Sequence, residues 1–341
     1  SLLVGGLKPA QKKEAQARIK SGEIRFMIGT NALIQEKVDM HKLGLVIVDE
    51  QHRFGVEQRK SLLAKAGHAL HVLNMTATPI PRSLALTLYG ELDISLIDTK
   101  PAGRKVIKTK IVSPNSRKQL YEKIESELVA GRQMFVVCPL ITESEALAAK
   151  SAEQAYEELS NGAFKHRRIG LLHGKMKPEE KDAVMQQFAN HELDILVATT
   201  VIEVGVNVPN ATVMLVENAE RFGLAQLHQL RGRVGRSDEQ GYCFLMMGDS
   251  SAPSRRLRAL ESSGDGFALA ELDLEIRGPG AIYGTMQHGA LDLRIAKLTD
   301  TKLIALARQA AQEFIDQGEN LLQYSQLHDR TQKLRAVTNL N

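Results

Sequence analysis

The sequence predicts an α/β protein with two successive lobes of parallel strands and helices, followed by a helical tail. Three observations predict this fold: short apolar runs, amphipathic stretches between them, and one polar break that divides the runs into two series. The runs are rich in Val, Ile and Leu and end at small or polar residues, as strands buried on both faces of a parallel sheet do. They read IRFMIGT, LGLVIVD, HVLNMTA, QMFVVCP, RIGLLHG, DILVATT and ATVMLVEN.

The stretch KPEEKDAVMQQFANH shows why the segments between the runs are predicted to be helices. Pro178 suits the first helical position, and Glu179 and Glu180 suit the positive N-terminal end of the helix dipole. Val184 and Phe188 lie four apart in sequence and therefore on one face of a helix. Strands that alternate with such helices are typical of a parallel sheet.

The polar break TKPAGRK, at 99–105, divides the chain because Pro and Gly interrupt regular structure there. We therefore place one lobe at 1–100 and a second at 101–250. Beyond the second lobe the strand-like runs stop, and LTDTKLIALARQAAQEFIDQ has the apolar spacing of a helix. The region 251–341 is accordingly predicted to be mostly helical.

Composition indicates a globular protein rather than a disordered tail or a membrane span. Of the 341 residues 43% are hydrophobic and 25% are charged, which is enough apolar material for two or three cores. The formal net charge of +4 permits a nucleic-acid partner without requiring one. Cys138 and Cys243 lack metal-ligand spacing and fit buried thiols in a reducing cytoplasm. The chain begins with Ser, so we expect a piece of a longer protein.

The stretch VIVDEQHRFG places Asp49 and Glu50 directly after an apolar run. Parallel sheets bind ligands at the carboxyl ends of their strands, so this acid pair could hold Mg²⁺ and position a water against a nucleotide γ-phosphate. A helix cap or a surface salt bridge would explain an isolated acid pair equally well.

Two further signals follow in order along the chain. TATPIPR comes after another apolar run, and QLRGRVGR places Arg233 and Arg236 three apart. Arginines that face a bound triphosphate neutralise charge that develops during phosphoryl transfer. Taken alone, RGRVGR also fits a solvated loop or a nucleic-acid patch, and TATP also fits turn chemistry at the end of a strand. The three signals together are far more specific than any one of them.

Four segments resemble motifs II, III, V and VI of superfamily 2 helicases, namely DEQH, TATP, VATTVIEVGVNVP and QLHQLRGRVGR. Within that superfamily the chain is most similar to the RecG family of DNA translocases, which remodel stalled replication forks. The resemblance extends to VVCPLITESEA, LLHGKMKPEEK and DLEIRGPGAIYGTMQHG and covers nearly the whole chain. It implies tandem RecA-like lobes, the first of them truncated, that bind ATP and Mg²⁺.

The resemblance also implies roles for residues of the first lobe. Asp49 would ligate the Mg²⁺ of ATP, and Glu50 would orient or activate the water that attacks. Gln51 and His52 would sense the γ-phosphate. The segment of Thr76, Ala77 and Thr78 would connect the nucleotide to the DNA.

In the second lobe the family pattern places Gly205 against the nucleotide, where a side chain would clash. Asn207 stands where family members usually have Asp, and it keeps hydrogen bonding to a ribose hydroxyl without the charge. Gln229, Arg233 and Arg236 would reach from the second lobe into the first.

The segment GFALAELDLEIRGPGAIYGTMQHG, at 266–289, predicts a helical hairpin because Gly278-Pro279-Gly280 interrupts two short helical stretches. It resembles the translocation motif that RecG shares with the transcription-repair coupling factor Mfd. In that motif an Arg and a Gln convert lobe movement into stepping on duplex DNA, and the matching residues here are Arg277 and Gln287. A hairpin that only packs is the alternative.

No segment matches G-x-x-x-x-G-K-[ST], the loop that cradles nucleotide phosphates. In RecG-like proteins that loop and a wedge domain lie upstream, so we expect this chain to be a C-terminal motor portion with little ATPase activity by itself. The expected whole protein is a monomeric cytoplasmic helicase that acts on forks, Holliday-type junctions and duplex DNA, with no membrane partner. The alternatives are an Mfd-type translocase and a DNA-binding module without enzymatic activity.

Overall fold

The computed structural model places the chain in two compact units, Ser1–Thr78 and Pro79–Asn341. This division falls earlier than residue 100, where the first lobe is predicted to end, and the lobe boundaries remain predictions. The residues that the structure describes are 1–34, 38–50, 70–77, 93–97, 99, 103–139, 145–199, 208–249, 251–277 and 301–338.

The first unit contains two small parallel sheets and one α-helix within its described residues. Its elements are β1 (Leu2–Leu3), α1 (Pro9–Lys20), β2 (Ile28–Gly29), β3 (Leu45–Val48) and β4 (His71–Asn74). Strand β1 pairs with β2 and β3 pairs with β4, both in parallel. The predicted strands LGLVIVD and HVLNMTA are therefore confirmed, whereas IRFMIGT forms only two residues of strand.

Strand β3 is buried on one face only. Val46 and Val48 lie in the core, whereas Leu45 and Ile47 remain 58% and 53% exposed. The expectation of two buried faces is wrong for this strand, because its side chains alternate between faces and only one face packs on a core within the described residues.

The second unit is built on one sheet of six parallel strands. The strands are β5 (Lys108–Val112), β6 (Gln133–Val137), β7 (Ile169–Leu172), β8 (Ile195–Ala198), β9 (Ala211–Val216) and β10 (Tyr242–Met246). Their order across the sheet is β5-β10-β9-β6-β8-β7. Every residue of β6, β8 and β9 is buried, which confirms a sheet covered on both faces.

Helices cover that sheet and continue beyond it. They are α2 (Arg117–Val129), α3 (Glu145–Asn161), α4 (Pro178–Ala189), α5 (Leu224–Arg231), α6 (Arg255–Ser262), α7 (Gly266–Arg277), α8 (Thr301–Asp316) and α9 (Ser325–Thr338). Helix α4 begins at Pro178 as predicted, and the Glu180 carboxylate accepts a 3.0 Å hydrogen bond from the backbone N–H of Lys177. Helix α7 confirms the first arm of the predicted hairpin, and 278–289 lies outside the described residues.

Two strands, β5 and β10, are absent from the seven that the apolar runs predict. Strand β5 lies at the edge of the sheet, where the side chains of Lys108 and Lys110 are exposed and hide the apolar pattern. Charged residues on an edge strand discourage pairing with other chains. The backbone N–H of Ile111 on this edge donates instead to the carboxylate of Glu261 at 2.9 Å, so α6 covers the edge.

The course of the chain through the sheet defines a switch point. From central β6 the chain moves to β7 and returns through β8, and it then crosses to β9 and β10 on the other side of β6. Ligands of parallel sheets bind outside the carboxyl ends of strands where the direction of connection reverses. Here that place is the end of β6, followed by Cys138, and the end of β9, followed by Glu217.

Both cysteines are buried, as predicted. Burial raises the pKa of the Cys138 thiol and of the Cys243 thiol to about 12. None of the helices in the described part of the chain is long and apolar enough to cross a membrane.

Candidate functional site

The predicted acid pair follows β3 directly. Glu50 has a left-handed backbone (φ 50°), and its N–H donates to Oδ1 of Asp49 at 2.9 Å. A left-handed conformation is unfavourable for a residue with a Cβ, and such strain concentrates at functional sites. The Ala77 N–H, just beyond β4, makes a long 3.4 Å hydrogen bond to Oε2 of Glu50. The structure thus brings the acid pair together with Ala77 of the TATP segment.

The chemistry of this corner fits a nucleotide-bound Mg²⁺. Mg²⁺ prefers oxygen ligands and commonly takes one or two protein carboxylates together with substrate phosphates. Asp49 is exposed and offers two carboxylate oxygens at the end of a parallel strand. In the described ranges no three His, Cys, Asp or Glu side chains form a preformed metal cluster, and a nucleotide-bound ion does not need one.

In the second unit, helix α5 and the turn after it carry the predicted Gln229, Arg233 and Arg236. Leu224, Leu227 and Leu230 anchor α5 in the core, and Gln229 lies on its partly exposed surface. Arg236 Nε donates to the carbonyl oxygen of Gly232 at 3.2 Å, which fixes the course of the arginine side chain.

Gly235 makes the turn between the two arginines possible. Its φ is +67°, and a Cβ at this position would lie 3.0 Å from Cγ1 of Ile107. A larger residue would therefore strain the backbone and press on the segment before β5. That segment is also held by Gln240, whose Nε2 donates to the carbonyl oxygen of Val106 at 2.7 Å.

A second cation lies close to Arg236. Burial lowers the pKa of Arg236, and the positive charge of Arg104 lowers it further. The surroundings of Arg236 are thus partly buried and positively charged.

Arg231 was not among the predicted site residues, although it stands in the same QLRGRVGR run. It is buried, and its Nη1 donates to the carbonyl oxygens of Leu260 at 2.8 Å and Ser263 at 2.7 Å. These carbonyls lie at the end of α6, where an arginine satisfies groups that the helix leaves unpaired. Burial lowers the pKa of Arg231. The guanidinium ties the end of α5 to the end of α6.

An ion pair at the switch point was also missed. Arg117, at the start of α2, donates from Nη1 and Nη2 to the two oxygens of Glu217 at 2.7 and 2.8 Å. Nη1 also donates to the hydroxyl of Tyr121 at 2.8 Å. Hydrogen bonding to Glu217 raises the pKa of Arg117 despite its burial. The position of Glu217 alone was visible in the sequence, because it follows a buried strand as Asp49 does.

Several predicted site residues lie outside the described residues. They are Gln51, His52, Thr78, Gly205, Asn207 and Gln287, and the same holds for the side chain of Arg277 at the end of α7. The acid pair belongs to the first unit and the arginines to the second.

Comparison with known proteins assigns the chain to a family. Family models match at 2–87 (DEAD/DEAH box helicase), 116–238 (helicase conserved C-terminal domain) and 263–340 (ATP-dependent DNA helicase RecG, domain 3, C-terminal). The chain is 51% identical over 322 residues to the ATP-dependent DNA helicase RecG of Synechocystis sp. and 50% identical over 323 residues to that of Thermotoga maritima. The chain belongs to the RecG family.

The chain corresponds to a part of its RecG relatives. The two alignments cover 94% of this chain, but 39% of the Synechocystis RecG and 41% of the Thermotoga RecG. A solved structure of RecG bound to a three-way DNA junction matches with a TM-score of 0.66 and 48% identity, over 82% of this chain and 36% of that one. The helicase MrfA bound to DNA matches at 18% identity with a TM-score of 0.54, over 77% of this chain and 40% of that one, and shows the fold alone. The expected RecA-like α/β fold with C-terminal helices is confirmed.

Proposed function

We propose that this chain is the C-terminal motor portion of an ATP-dependent double-stranded DNA translocase that remodels stalled replication forks and branched junctions in DNA repair and recombination. The observation that carries the proposal is the 48% identity, over 82% of this chain, to RecG solved on a three-way DNA junction. The RecG-specific match at 263–340 favours this activity over that of Mfd. The acid pair and the arginines favour an enzyme over an inactive DNA-binding module.

In this proposal the first unit prepares ATP for hydrolysis. Asp49 ligates Mg²⁺, which neutralises phosphate charge when bound, and Glu50 orients the attacking water. Gln51 and His52 respond to the γ-phosphate. The exposed carboxylate of Asp49 at the end of β3 and the fixed backbone of Glu50 support these roles.

The second unit carries the arginines that this proposal assigns to phosphoryl transfer. Arg233 and Arg236 neutralise charge on the transferred phosphoryl group, and Gln229 hydrogen-bonds to the phosphates or to the attacking water. Gly205 and Asn207 approach the nucleotide from motif V. The cationic surroundings of Arg236 support this assignment.

Coupling to DNA is assigned to two segments. The first comprises Thr76, Ala77 and Thr78, and the hydrogen bond from Ala77 to Glu50 supports it. The second is the hairpin at 266–289, in which Arg277 and Gln287 convert hydrolysis into movement. The partners are forks, Holliday-type junctions and duplex DNA, and the full-length protein acts as a cytoplasmic monomer.

Junction unwinding by the full-length protein tests the proposal. We expect ATP- and Mg²⁺-dependent separation of a three-way junction, measured by gel electrophoresis of labelled strands, and loss of this activity in Glu50→Gln. The 341-residue chain alone should hydrolyse little ATP, because it lacks the phosphate loop that positions the triphosphate. A full-length protein that leaves junctions intact would refute the translocase, and rapid turnover by the 341-residue chain would refute its predicted inactivity.

A further inference from the structure

The segment that joins β9 to α5 is held at its first residue by an ion pair. Arg117 donates a hydrogen bond to each carboxylate oxygen of Glu217, and the Glu217 side chain is only 12% exposed. A bidentate pair fixes orientation as well as distance, because two parallel hydrogen bonds define a plane. The pair therefore sets where the chain leaves the sheet at the switch point.

The same segment is held again three residues later. Oε2 of Glu220 accepts a 3.2 Å hydrogen bond from the N–H of Gly248, which follows β10. The approach is close, since a Cβ on Gly248 would lie 2.3 Å from Oδ1 of Asn218. Asn218 itself has a left-handed backbone (φ 49°). Little freedom remains in the path from β9 to α5.

Helix α5 transmits the position of this segment to the predicted arginines. It has eight residues, is about 12 Å long and begins after Gly223, which provides no side-chain cap. Its start is therefore located by the preceding segment, whereas its end is tied by Arg231 to the carbonyls of Leu260 and Ser263. A shift at Glu217 would pass along α5 to the turn that holds Arg233 and Arg236.

A comparable ion pair shows that this arrangement is not a general need of the sheet. Arg168 donates to Asp194 from Nε at 3.2 Å and from Nη2 at 2.7 Å. The Asp194 side chain is 15% exposed, close to the 12% exposure of the Glu217 side chain. Arg168 and Asp194, however, precede strands β7 and β8. Unlike Glu217, neither residue begins the segment that leads to Arg233 and Arg236. Partly exposed ion pairs of this kind contribute about 0–1 kcal/mol to stability.

We propose that Arg117 and Glu217 are positioning residues for the arginines of motif VI. The pair fixes the segment 217–223 so that α5 presents Arg233 and Arg236 in one orientation toward the triphosphate. This inference rests on the proposed function, because it assigns the two arginines to ATP hydrolysis. Displacement of a phosphate-binding group by about 1 Å costs roughly 100-fold in rate, so a small loss of order here is measurable.

Glu217→Gln tests the inference, with Asp194→Asn as the matched control in the full-length protein. We expect Glu217→Gln to lower the kcat of DNA-stimulated ATP hydrolysis about 10- to 100-fold, with the KM for ATP within about 3-fold. Asp194→Asn should leave both constants unchanged while shifting Tm by a similar amount. Arg117→Gln and the double variant Arg117→Gln/Glu217→Gln should resemble Glu217→Gln rather than add to it, because the three variants break one interaction.

Amide hydrogen exchange separates this inference from the proposed function. We expect Glu217→Gln to accelerate exchange in peptides from 218–236, and Asp194→Asn to leave those peptides unchanged. Wild-type protein without ATPase activity would refute the proposed function, and the exchange experiment would still decide whether the pair orders the segment. Equal kcat in Glu217→Gln and Asp194→Asn, or unchanged exchange at 218–236, would overturn the positioning role.

Discussion

Polar side chains have different partners at the two ends of the strands of the six-stranded sheet, here called the amino edge and the carboxyl edge. At the amino edge, buried Gln133 donates from Nε2 to the carbonyl oxygens of Phe188 and Leu193, both at 2.7 Å. Its Oε1 accepts from Nδ2 of Asn210 at 3.1 Å. At the carboxyl edge, the Glu217 carboxylate is held by Arg117 at the start of the segment toward the predicted arginines.

We interpret the difference as a separation of stability from activity within one sheet. The partners of Gln133 are two backbone carbonyls and the side-chain amide of Asn210, so this network joins β6 to neighbouring parts of the same unit. At the carboxyl edge an ion pair instead holds the first residue of a segment that leaves the sheet. Parallel sheets bind ligands at this edge. Changes at Gln133 should therefore reduce stability, and changes at the Arg117–Glu217 pair should reduce turnover.

The largest effect is expected from Arg236→Ala in the full-length protein. Loss of an arginine that stabilises the transition state should lower ATP hydrolysis about 1,000-fold or more, with ATP affinity changed only modestly. Steady-state ATPase assays and nucleotide binding by fluorescence measure the two quantities. Arg168→Ala, at the amino edge, is the control and should hydrolyse ATP normally. Normal hydrolysis by Arg236→Ala would contradict the assignment of this arginine to ATP hydrolysis.

A smaller effect on a different quantity is expected from Gln133→Ala. One buried and one partly buried carbonyl lose their donor, so the free energy of unfolding should fall by about 2–4 kcal/mol, and Tm should fall with it. Gln240→Ala is the control, because Gln240 also donates to two carbonyls, those of Val106 and Gly241, at a more exposed place. Thermal unfolding followed by circular dichroism distinguishes them. A larger loss of stability in Gln240→Ala would contradict the assignment of stability to the buried network of Gln133.

The smallest effect concerns the pH dependence of the pair Arg168–Asp194. Burial alone would raise the pKa of Asp194, but hydrogen bonds from the side chain and backbone of Arg168 outweigh it and hold that pKa below its usual value of 3.8. A depressed pKa stabilises the folded state above the unfolded pKa, and this contribution is lost as the pH falls through the folded pKa. The contribution should be about 1 kcal/mol or less because solvent screens the pair.

Thermal unfolding between pH 7 and pH 3 measures this contribution. Wild type should exceed Asp194→Asn in Tm by a constant margin down to about pH 5, and the margin should shrink below about pH 4. Arg168→Gln should show the weaker pH dependence that follows from loss of the hydrogen bonds. A margin that grows on acidification would have the wrong sign for a depressed pKa.

The sequence indicated the buried centre of the second sheet well, because β6, β8 and β9 are continuous apolar runs whose residues are all buried. It indicated the edge strand β5 poorly, since Lys108 and Lys110 interrupt the apolar pattern there. The acid pair was found because it follows a strand. Glu217 follows one too, but its partner Arg117 is 100 residues away in sequence, and such pairings become visible only once the strand order is known.

The burial of both thiols has a practical consequence for spectroscopy. Cys138 and Cys243 are the two cysteines of this chain, and their pKa values near 12 leave almost no thiolate to react with maleimides at neutral pH. A cysteine introduced on the exposed surface of α1 or α4 would therefore take up a fluorophore selectively, without prior removal of the native thiols. Pairs of such dyes, one in each compact unit, would report distances between the units by energy transfer.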